Sequence, residues 1–296
     1  MREPALLIAG HGSRDEDGTC EFHELCEIVQ RRAPDVPVAG GFIELSLPPL
    51  SQAVTRLVEA GERDLVCVPL MLVAAGHAKN DIPASLARER LVHSGLRIRY
   101  ARPLGIRPEL VEIVDERVRA TIDPGSDAET TVVLVGRGST DPDANSDVAK
   151  IARLLYEGRA YPAVEHAFVS LAAPSVPEAL ERCRRLGAGR IVVVPYFLFT
   201  GVLERRIRAQ AIEFADAHLG LDVRVAGYLR AEERIAELVL MRYREAIDGD
   251  LRMNCDVCVH RVALPGFEHK VGTPATPHYH PADNRHHHDH HHTHRH

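Results

Sequence analysis

Residues 6–14 are Leu-Leu-Ile-Ala-Gly-His-Gly-Ser-Arg, a short apolar run that ends abruptly in small and polar residues. Such a run is typical of a buried strand followed by a tight loop, in which glycine lets the backbone turn sharply. His11 is therefore expected at a strand end, where open α/β sheets bind their ligands. A second apolar run, residues 65–72, is followed by Gly76-His77. The sequence thus points to two histidines at two strand ends.

The composition is that of an ordinary globular protein. The chain has 296 residues, of which 45% are hydrophobic and 26% charged, and this length allows two domains. A net charge of −6 and the absence of Trp argue against a nucleic-acid partner. No apolar run approaches the roughly 20 residues that cross a bilayer, and the N-terminus has no signal-peptide core. We therefore expect a cytoplasmic protein without a membrane partner.

Strand and helix patterns alternate along the first half of the chain. The predicted strands are residues 4–10, 36–43, 64–72 and 96–100, and the predicted helices are residues 20–32, 48–60, 80–92 and 108–120. Alternation of this kind is typical of parallel strands with helices on both faces of the sheet.

The second half repeats the first after a linker at residues 123–127. Residues 131–139, Thr-Val-Val-Leu-Val-Gly-Arg-Gly-Ser, match the opening stretch, and Phe168-Val169-Ser170-Leu171 matches Phe42-Ile43-Glu44-Leu45 at the same offset. A match held over many elements indicates duplication. We predict an α/β fold with two tandem domains, each a four-stranded, mostly parallel sheet with helices on both faces and a cleft between the domains. The predicted units are residues 1–122, 130–248, a Cys-x-x-Cys segment at 249–272 and a disordered tail at 273–296.

Three polar residues at strand ends are present in the first half and missing from the second. Arg137 stands opposite His11, Ser170 opposite Glu44 and Val202 opposite His77. A strand order of 2-1-3-4 would place strands one and three beside the switch point, so that His11 and His77 face each other. Two imidazoles and a carboxylate suit a divalent ion such as Co²⁺ or Fe²⁺, and the same groups can accept protons.

These motifs resemble the class II chelatases of tetrapyrrole synthesis. The matching stretches are Gly10-His11-Gly12-Ser13-Arg14, Phe42-Ile43-Glu44-Leu45, Pro69-Leu70-Met71-Leu72 and Gly76-His77. The resemblance covers about residues 5–260 and is greatest to the long-form sirohydrochlorin cobaltochelatases of the anaerobic cobalamin route, which have two ferrochelatase-like domains. It implies that His11 and His77 carry out metal insertion, that Glu44 assists, and that Co²⁺ and sirohydrochlorin are the substrates.

The chemistry that the resemblance implies makes demands on the surrounding residues. The macrocycle loses two pyrrolic protons and gains one M²⁺, so the metal must be held loosely by an incomplete ligand set. Sirohydrochlorin is a polycarboxylate, and we expect cationic side chains around it. The candidates for substrate binding are Arg14, Lys79, Arg137 and Arg205 with its neighbour Arg206, together with the hydroxyls of Ser13 and Ser139. For each cation a solvated surface role remains open, and for each serine a loop hydrogen bond.

A Cys-x-x-Cys motif, Cys255 and Cys258, follows the last predicted helix. Such a pair can bind Zn, hold part of an iron–sulfur cluster or exchange thiols, and no strand–helix context favours the thioredoxin-like alternative. The long-form family carries a similar motif associated with an iron–sulfur cluster, and the resemblance implies one here. The remaining ligands could come from His260 or from a second chain in a homo-oligomer. A Zn site and bare thiols remain open as alternatives.

The tail from Thr273 onward is rich in proline and histidine and cannot form a core. Ten of the 18 histidines lie between His278 and His296. An expression tag is one explanation, but the interruptions by Asp289, Thr293 and Arg295 favour a native tract that gathers Co²⁺ or Ni²⁺.

Three alternatives to cobalt insertion remain open from the sequence. Iron insertion for siroheme uses the same donor types, and the histidine-rich tail favours cobalt over it. A metallochaperone without chemistry would depend on the tail and not on His11. A two-domain protein that binds an anion in its cleft would need neither histidine.

Overall fold

Two four-stranded sheets organise the part of the chain that the structure describes, residues 3–249 of a computed structural model. The first half contains β1 Ala5–Gly10, α1 Glu16–Arg32, β2 Val38–Phe42, α2 Leu50–Glu59, β3 Asp64–Pro69, a π-helical turn His77–Asp81, α3 Ile82–Val92, β4 Arg97–Tyr100 and α4 Pro108–Arg119. The second half contains β5 Thr130–Gly136, α5 Pro142–Tyr156, β6 Val164–Phe168, α6 Val176–Arg185, β7 Arg190–Pro195, α7 Val202–Ala217, β8 Asp222–Val225 and α8 Glu233–Asp248. The Cys-x-x-Cys motif and the histidine-rich tail lie outside the described residues.

The predicted α/β duplication is confirmed. Both sheets are parallel throughout, with orders β2-β1-β3-β4 and β6-β5-β7-β8. The central strands β1 and β5 are buried along their whole length because helices cover both faces of each sheet. This order places the ends of β1 and β3 side by side, as the 2-1-3-4 pattern requires.

Helix α1 begins four residues before the predicted start at residue 20. The Asp15 side chain accepts a hydrogen bond from the Asp17 backbone N–H at 3.1 Å and so caps the helix. Asp141 caps α5 in the same way through Asp143 N–H. The polar residues that follow Asp15 conceal this helical turn from an analysis of apolar periodicity.

The final helix of each half packs on the other half. Helix α4 lies against α5 and β7, and α8 lies against α1, β3 and β4. One large apolar core therefore includes residues of both sheets. The buried Arg242 of α8 donates hydrogen bonds to the carbonyls of Pro103 and Leu104, which lie in the first half. The packing of α4 and α8 on the opposite halves holds the two halves together along one side. A cavity remains between the halves at the strand ends.

Among the helices of the described range, none combines the length and the apolar character that a membrane crossing requires.

Candidate metal centre

His11, Glu44 and His77 meet at the carboxyl edge of the first sheet. His11 directly follows β1, Glu44 lies two residues after β2, and His77 opens the π-helical turn after β3. The Nε2 atom of His11 is 3.2 Å from Glu44 Oε1, and His77 Nε2 is 3.8 Å from the same oxygen. The two imidazole rings stand edge to face with their centroids 4.3 Å apart. The structure therefore brings together the trio that the sequence singled out.

The hydrogen bonds of the two imidazoles determine which nitrogens are available to a metal. His11 Nδ1 lies 3.0 Å from the Gly12 carbonyl, and His77 Nδ1 lies 2.7 Å from Asp81 Oδ2. Because a carbonyl and a carboxylate only accept, both Nδ1 atoms carry the proton and both Nε2 atoms present a lone pair in the neutral ring. One ligand atom from each of His11, Glu44 and His77 lies within 4.8 Å of the others. Three electron-pair donors that face each other favour a cation between them.

The electrostatic surroundings keep His11 neutral. Burial, followed by the nearby His77 and Arg137, lowers the pKa of His11 to about 4. A neutral imidazole binds a metal without first releasing a proton, so the site is ready to take up M²⁺ at neutral pH.

The glycine of the first motif allows two loops to approach closely. Gly12 has a φ of 99°, and a Cβ atom there would lie 1.8 Å from the Glu44 carbonyl oxygen. Ser13 N–H donates to Ser46 Oγ at 2.8 Å, and Ser46 Oγ donates to the Ser13 carbonyl at 2.7 Å. These contacts fix the His11 loop onto the Glu44 loop, so the relative positions of both side chains are set before any ligand binds.

Asp81 is a site residue that the sequence analysis missed. It ends the π-helical turn that His77 begins, and this turn brings the Asp81 carboxylate to the far side of the His77 ring. Tyr100 Oη holds the turn by donating to the Ala78 carbonyl at 2.7 Å. Such turns are rare and frequently lie at functional sites. The acidic residue four positions after His77 was the available signal.

A cavity of about 660 Å³ opens beside the trio, and both halves of the chain contribute to its wall. The first half contributes His11, His77, Asp81, Leu45 and Met71, and the second contributes Arg137, Leu171, Phe197 and Phe199. His11 and His77 thus lie at the wall of a largely apolar space between the halves, and Glu44 Oε1 lies beside them.

Of the predicted substrate-binding cations, two line this cavity. Arg14 follows the His11 loop, and Arg137 reaches across from the second half to place Nη1 3.4 Å from His11 Nε2. Ser13 and Ser139 also line the cavity.

Of the other three predicted cations, Arg206 is exposed on α7, and Lys79 and Arg205 join the halves of the chain. Lys79 Nζ lies 2.5 Å from Asp141 Oδ2, and its side chain is only 9% exposed. Arg205 Nη2 lies 2.6 Å from Asp15 Oδ2. Each capping aspartate is thus bound by a cation from the opposite half, and neither Lys79 nor Arg205 is among the residues that line the cavity.

Known proteins of one family are similar to both halves of the described chain. The model of the CbiX family matches residues 5–121 and again residues 131–246. A sirohydrochlorin cobaltochelatase of Priestia megaterium is 36% identical over 88% of this chain and 85% of its own length. A sirohydrochlorin ferrochelatase of the same organism is 33% identical over 79% of this chain and 87% of its own length.

A solved structure described as SirB from Bacillus subtilis with Fe³⁺ superimposes with a TM-score of 0.74 at 30% identity. The superposition covers 84% of this chain and 98% of SirB. On the duplicated family match, the identities and this shared fold, the chain belongs to the CbiX/SirB family of class II chelatases.

Proposed function

We propose that this protein inserts Co²⁺ into sirohydrochlorin. The observation that carries the proposal is the convergence of Glu44 Oε1 with the Nε2 atoms of His11 and His77, two residues that line a cavity large enough for a small-molecule substrate. Membership of the chelatase family supplies the class of reaction, metal insertion into a tetrapyrrole. Three donors from one edge of a sheet leave room for water and for substrate nitrogens around the ion. The metal can therefore be passed on, which a closed four-ligand site would prevent.

The same groups account for the protons in the reaction. The macrocycle must release two pyrrolic protons as it gains one M²⁺. When its nitrogens displace His11 and His77 from the metal, the freed His77 imidazole and the Glu44 carboxylate become available as proton acceptors, whereas the lowered pKa of His11 makes it a poor acceptor at neutral pH. Asp81 accepts from His77 Nδ1 at 2.7 Å and would stabilise the protonated ring.

The carboxylates of sirohydrochlorin require cationic partners. We assign this role to Arg14 and Arg137 because both line the cavity. Lys79 and Arg205 fit the role less well, since their charges face Asp141 and Asp15. Ser13 and Ser139 are the hydroxyl donors in reach of the same space.

Iron is the second candidate metal. Relatives named for cobalt and for iron are 36% and 33% identical to this chain, and imidazole and carboxylate accept both ions. The ten histidines between His278 and His296 favour cobalt, because clustered imidazoles gather Co²⁺ and Ni²⁺ well.

The test is anaerobic mixing of the purified chain with sirohydrochlorin and either Co²⁺ or Fe²⁺, followed by the absorption of the macrocycle. We expect insertion of both ions, faster with Co²⁺ at equal free metal. His11→Ala and His77→Ala should each lower turnover by at least about 100-fold while the circular dichroism spectrum is unchanged. Near-normal turnover in both variants, or no insertion by the wild type, would contradict the proposal.

Deletion of residues 273–296 tests the metallochaperone alternative. A chelatase should keep its turnover at saturating Co²⁺ and slow only when metal is scarce. A metallochaperone should lose its function on deletion and tolerate His11→Ala.

A further inference from the structure

Each half of the chain contains a strained turn at the equivalent position after its second strand. Ser46 N–H donates to the Glu44 carbonyl at 2.7 Å, and Ala172 N–H donates to the Ser170 carbonyl at 2.8 Å. These are three-residue γ-turns whose central residues, Leu45 and Leu171, have φ of 65° and 62°. Turns of this hand are rare and strained. Glycine or asparagine adopts a positive φ at lower cost, so the two leucine side chains need an explanation.

Both leucines line the cavity, one from each half. Leu45 is 43% exposed and Leu171 is 61% exposed. A single exposed leucine is ordinary, but two at matched positions in strained turns on one cavity are not. The residues before them have diverged to Glu44 and Ser170, so the turn of the second half carries no metal donor. The feature that both halves retain is the apolar side chain.

We propose that Leu45 and Leu171 are the two apolar contacts, one on each side of the cavity, that hold the faces of a flat conjugated macrocycle. This inference rests on the proposed function and specifies how its organic substrate is bound. A tetrapyrrole has charged edges and apolar faces, and burying a face against leucine is favourable while the carboxylates pair with Arg14 and Arg137.

The turns are anchored to the loops that carry the chemistry. Glu44 N–H donates to the His11 carbonyl at 3.1 Å, and Ser170 N–H donates to the Arg137 carbonyl at 3.0 Å. The position of Leu45 is therefore fixed relative to His11, and that of Leu171 relative to Arg137. A contact that is fixed before binding costs little ordering entropy when the macrocycle enters. Strain that persists in both halves is consistent with such preorganisation.

The experiment replaces each leucine by asparagine, which tolerates a positive φ but removes the apolar surface. Leu219→Asn is the matched control, because Leu219 is 94% exposed and does not line the cavity. Binding of metal-free sirohydrochlorin is followed by absorption titration, and KM is measured for sirohydrochlorin and for Co²⁺ separately. We expect each single variant to weaken sirohydrochlorin binding and raise its KM about tenfold, and the double variant further. The KM for Co²⁺ and kcat at saturation should stay within about twofold of wild type, as should every parameter of the control.

Two results would overturn the inference. One is unchanged sirohydrochlorin binding by Leu171→Asn, which is remote in sequence from every metal donor. The other is a KM for Co²⁺ that rises in parallel in both variants, because the turns would then serve the metal site. If an asparagine variant unfolds less cooperatively than wild type, glycine at the same position replaces it.

Failure of the proposed function gives a different pattern. A wild-type chain that binds sirohydrochlorin but inserts no metal contradicts the function and leaves the leucine contacts supported or overturned by the binding titration. A chain that binds no sirohydrochlorin overturns both.

Discussion

Arg137 holds in the second half the position that His11 holds in the first, and its Nη1 atom lies 3.4 Å from His11 Nε2. The duplication has thus placed a permanently charged donor against the lone pair that a metal ion would use. Because the guanidinium and the ion compete for one nitrogen, Arg137 should weaken metal binding until another anion draws it away. The carboxylates of the proposed substrate are suited to that role.

Removal of the Arg137 charge should therefore have opposite effects on the two substrates. We expect Arg137→Ala to tighten Co²⁺ binding to the free protein by roughly three- to tenfold, since a positive charge a few ångströms from a dication is lost. The same variant should raise the KM for sirohydrochlorin about tenfold, because one carboxylate loses its partner. Calorimetric titration with Co²⁺ and steady-state kinetics measure the two effects. Arg137→Lys retains the charge and is the control; equal Co²⁺ affinity in all three proteins would refute the competition.

The hydrogen bond between His77 and Asp81 should control the strength of the metal site. Asp81 fixes the His77 tautomer by accepting the Nδ1 hydrogen, and this makes Nε2 a stronger metal ligand. We expect Asp81→Ala to lower Co²⁺ affinity by roughly 10- to 100-fold, the usual effect of losing such a partner. Asp81→Asn, whose amide oxygen still accepts from Nδ1, should lose less. Glu89→Gln is the control, because Glu89 pairs with His93 at the same spacing away from the site.

The lowered pKa of His11 makes a prediction about stability and pH. Burial, with His77 and Arg137 nearby, lowers this pKa to about 4 in the folded chain, whereas an unperturbed imidazole titrates near pH 6.5. Between these values the unfolded chain binds a proton that the folded chain does not. The free energy of unfolding should therefore fall as the pH is lowered from about 6.5 to about 4, and His11→Gln should flatten that part of the curve. Urea denaturation at several pH values measures it.

Leu219→Asn is the control for this measurement, since it replaces an exposed side chain and removes no titratable group. It should retain the wild-type slope. An unaltered slope in His11→Gln would mean that His11 is not held neutral in the folded chain.

Sequence alone was sufficient for the sheets and for the meeting of the three candidate metal ligands at one sheet edge. Apolar runs define the strands, and parallel strands bring their carboxyl ends to one edge, so His11, Glu44 and His77 had to be neighbours if the strand order was 2-1-3-4. The direction of a long side chain is not encoded in this way. Lys79 and Arg205 lie beside strand ends as predicted, yet they extend toward aspartates of the opposite half.

The packing of α4 and α8 on the opposite half of the chain could not be predicted for a related reason. An amphipathic pattern in α4 or α8 specifies that one face is buried but not which of two similar sheets covers it. The position of Asp81 depends on a π-helical turn, and the extra residue of that turn disturbs the ordinary helical period on which sequence analysis relies.

Substitution of Lys79 tests whether this residue joins the two halves of the chain and does not bind the substrate. Its amino group lies 2.5 Å from Asp141 Oδ2 and 3.1 Å from Asp143 Oδ2, with a side chain that is only 9% exposed. We expect Lys79→Met to lower the free energy of unfolding by roughly 1–3 kcal/mol, because two carboxylates lose a poorly solvated partner. A double-mutant cycle with Asp141→Asn, whose side-chain oxygen can still cap α5, should give a coupling energy of about 1–2 kcal/mol.

The exposed pair Arg153 and Glu157 is the control for this cycle, with side chains 68% and 55% exposed. Its coupling energy should not exceed about 0.5 kcal/mol. The KM of Lys79→Met for sirohydrochlorin should stay within threefold of wild type. The Lys79 amino group pairs with Asp141 and Asp143, so its removal takes no partner away from the carboxylates of the substrate. A rise of tenfold or more in this KM, with unfolding unaffected, would return Lys79 to the substrate-binding role that its position after a strand suggested.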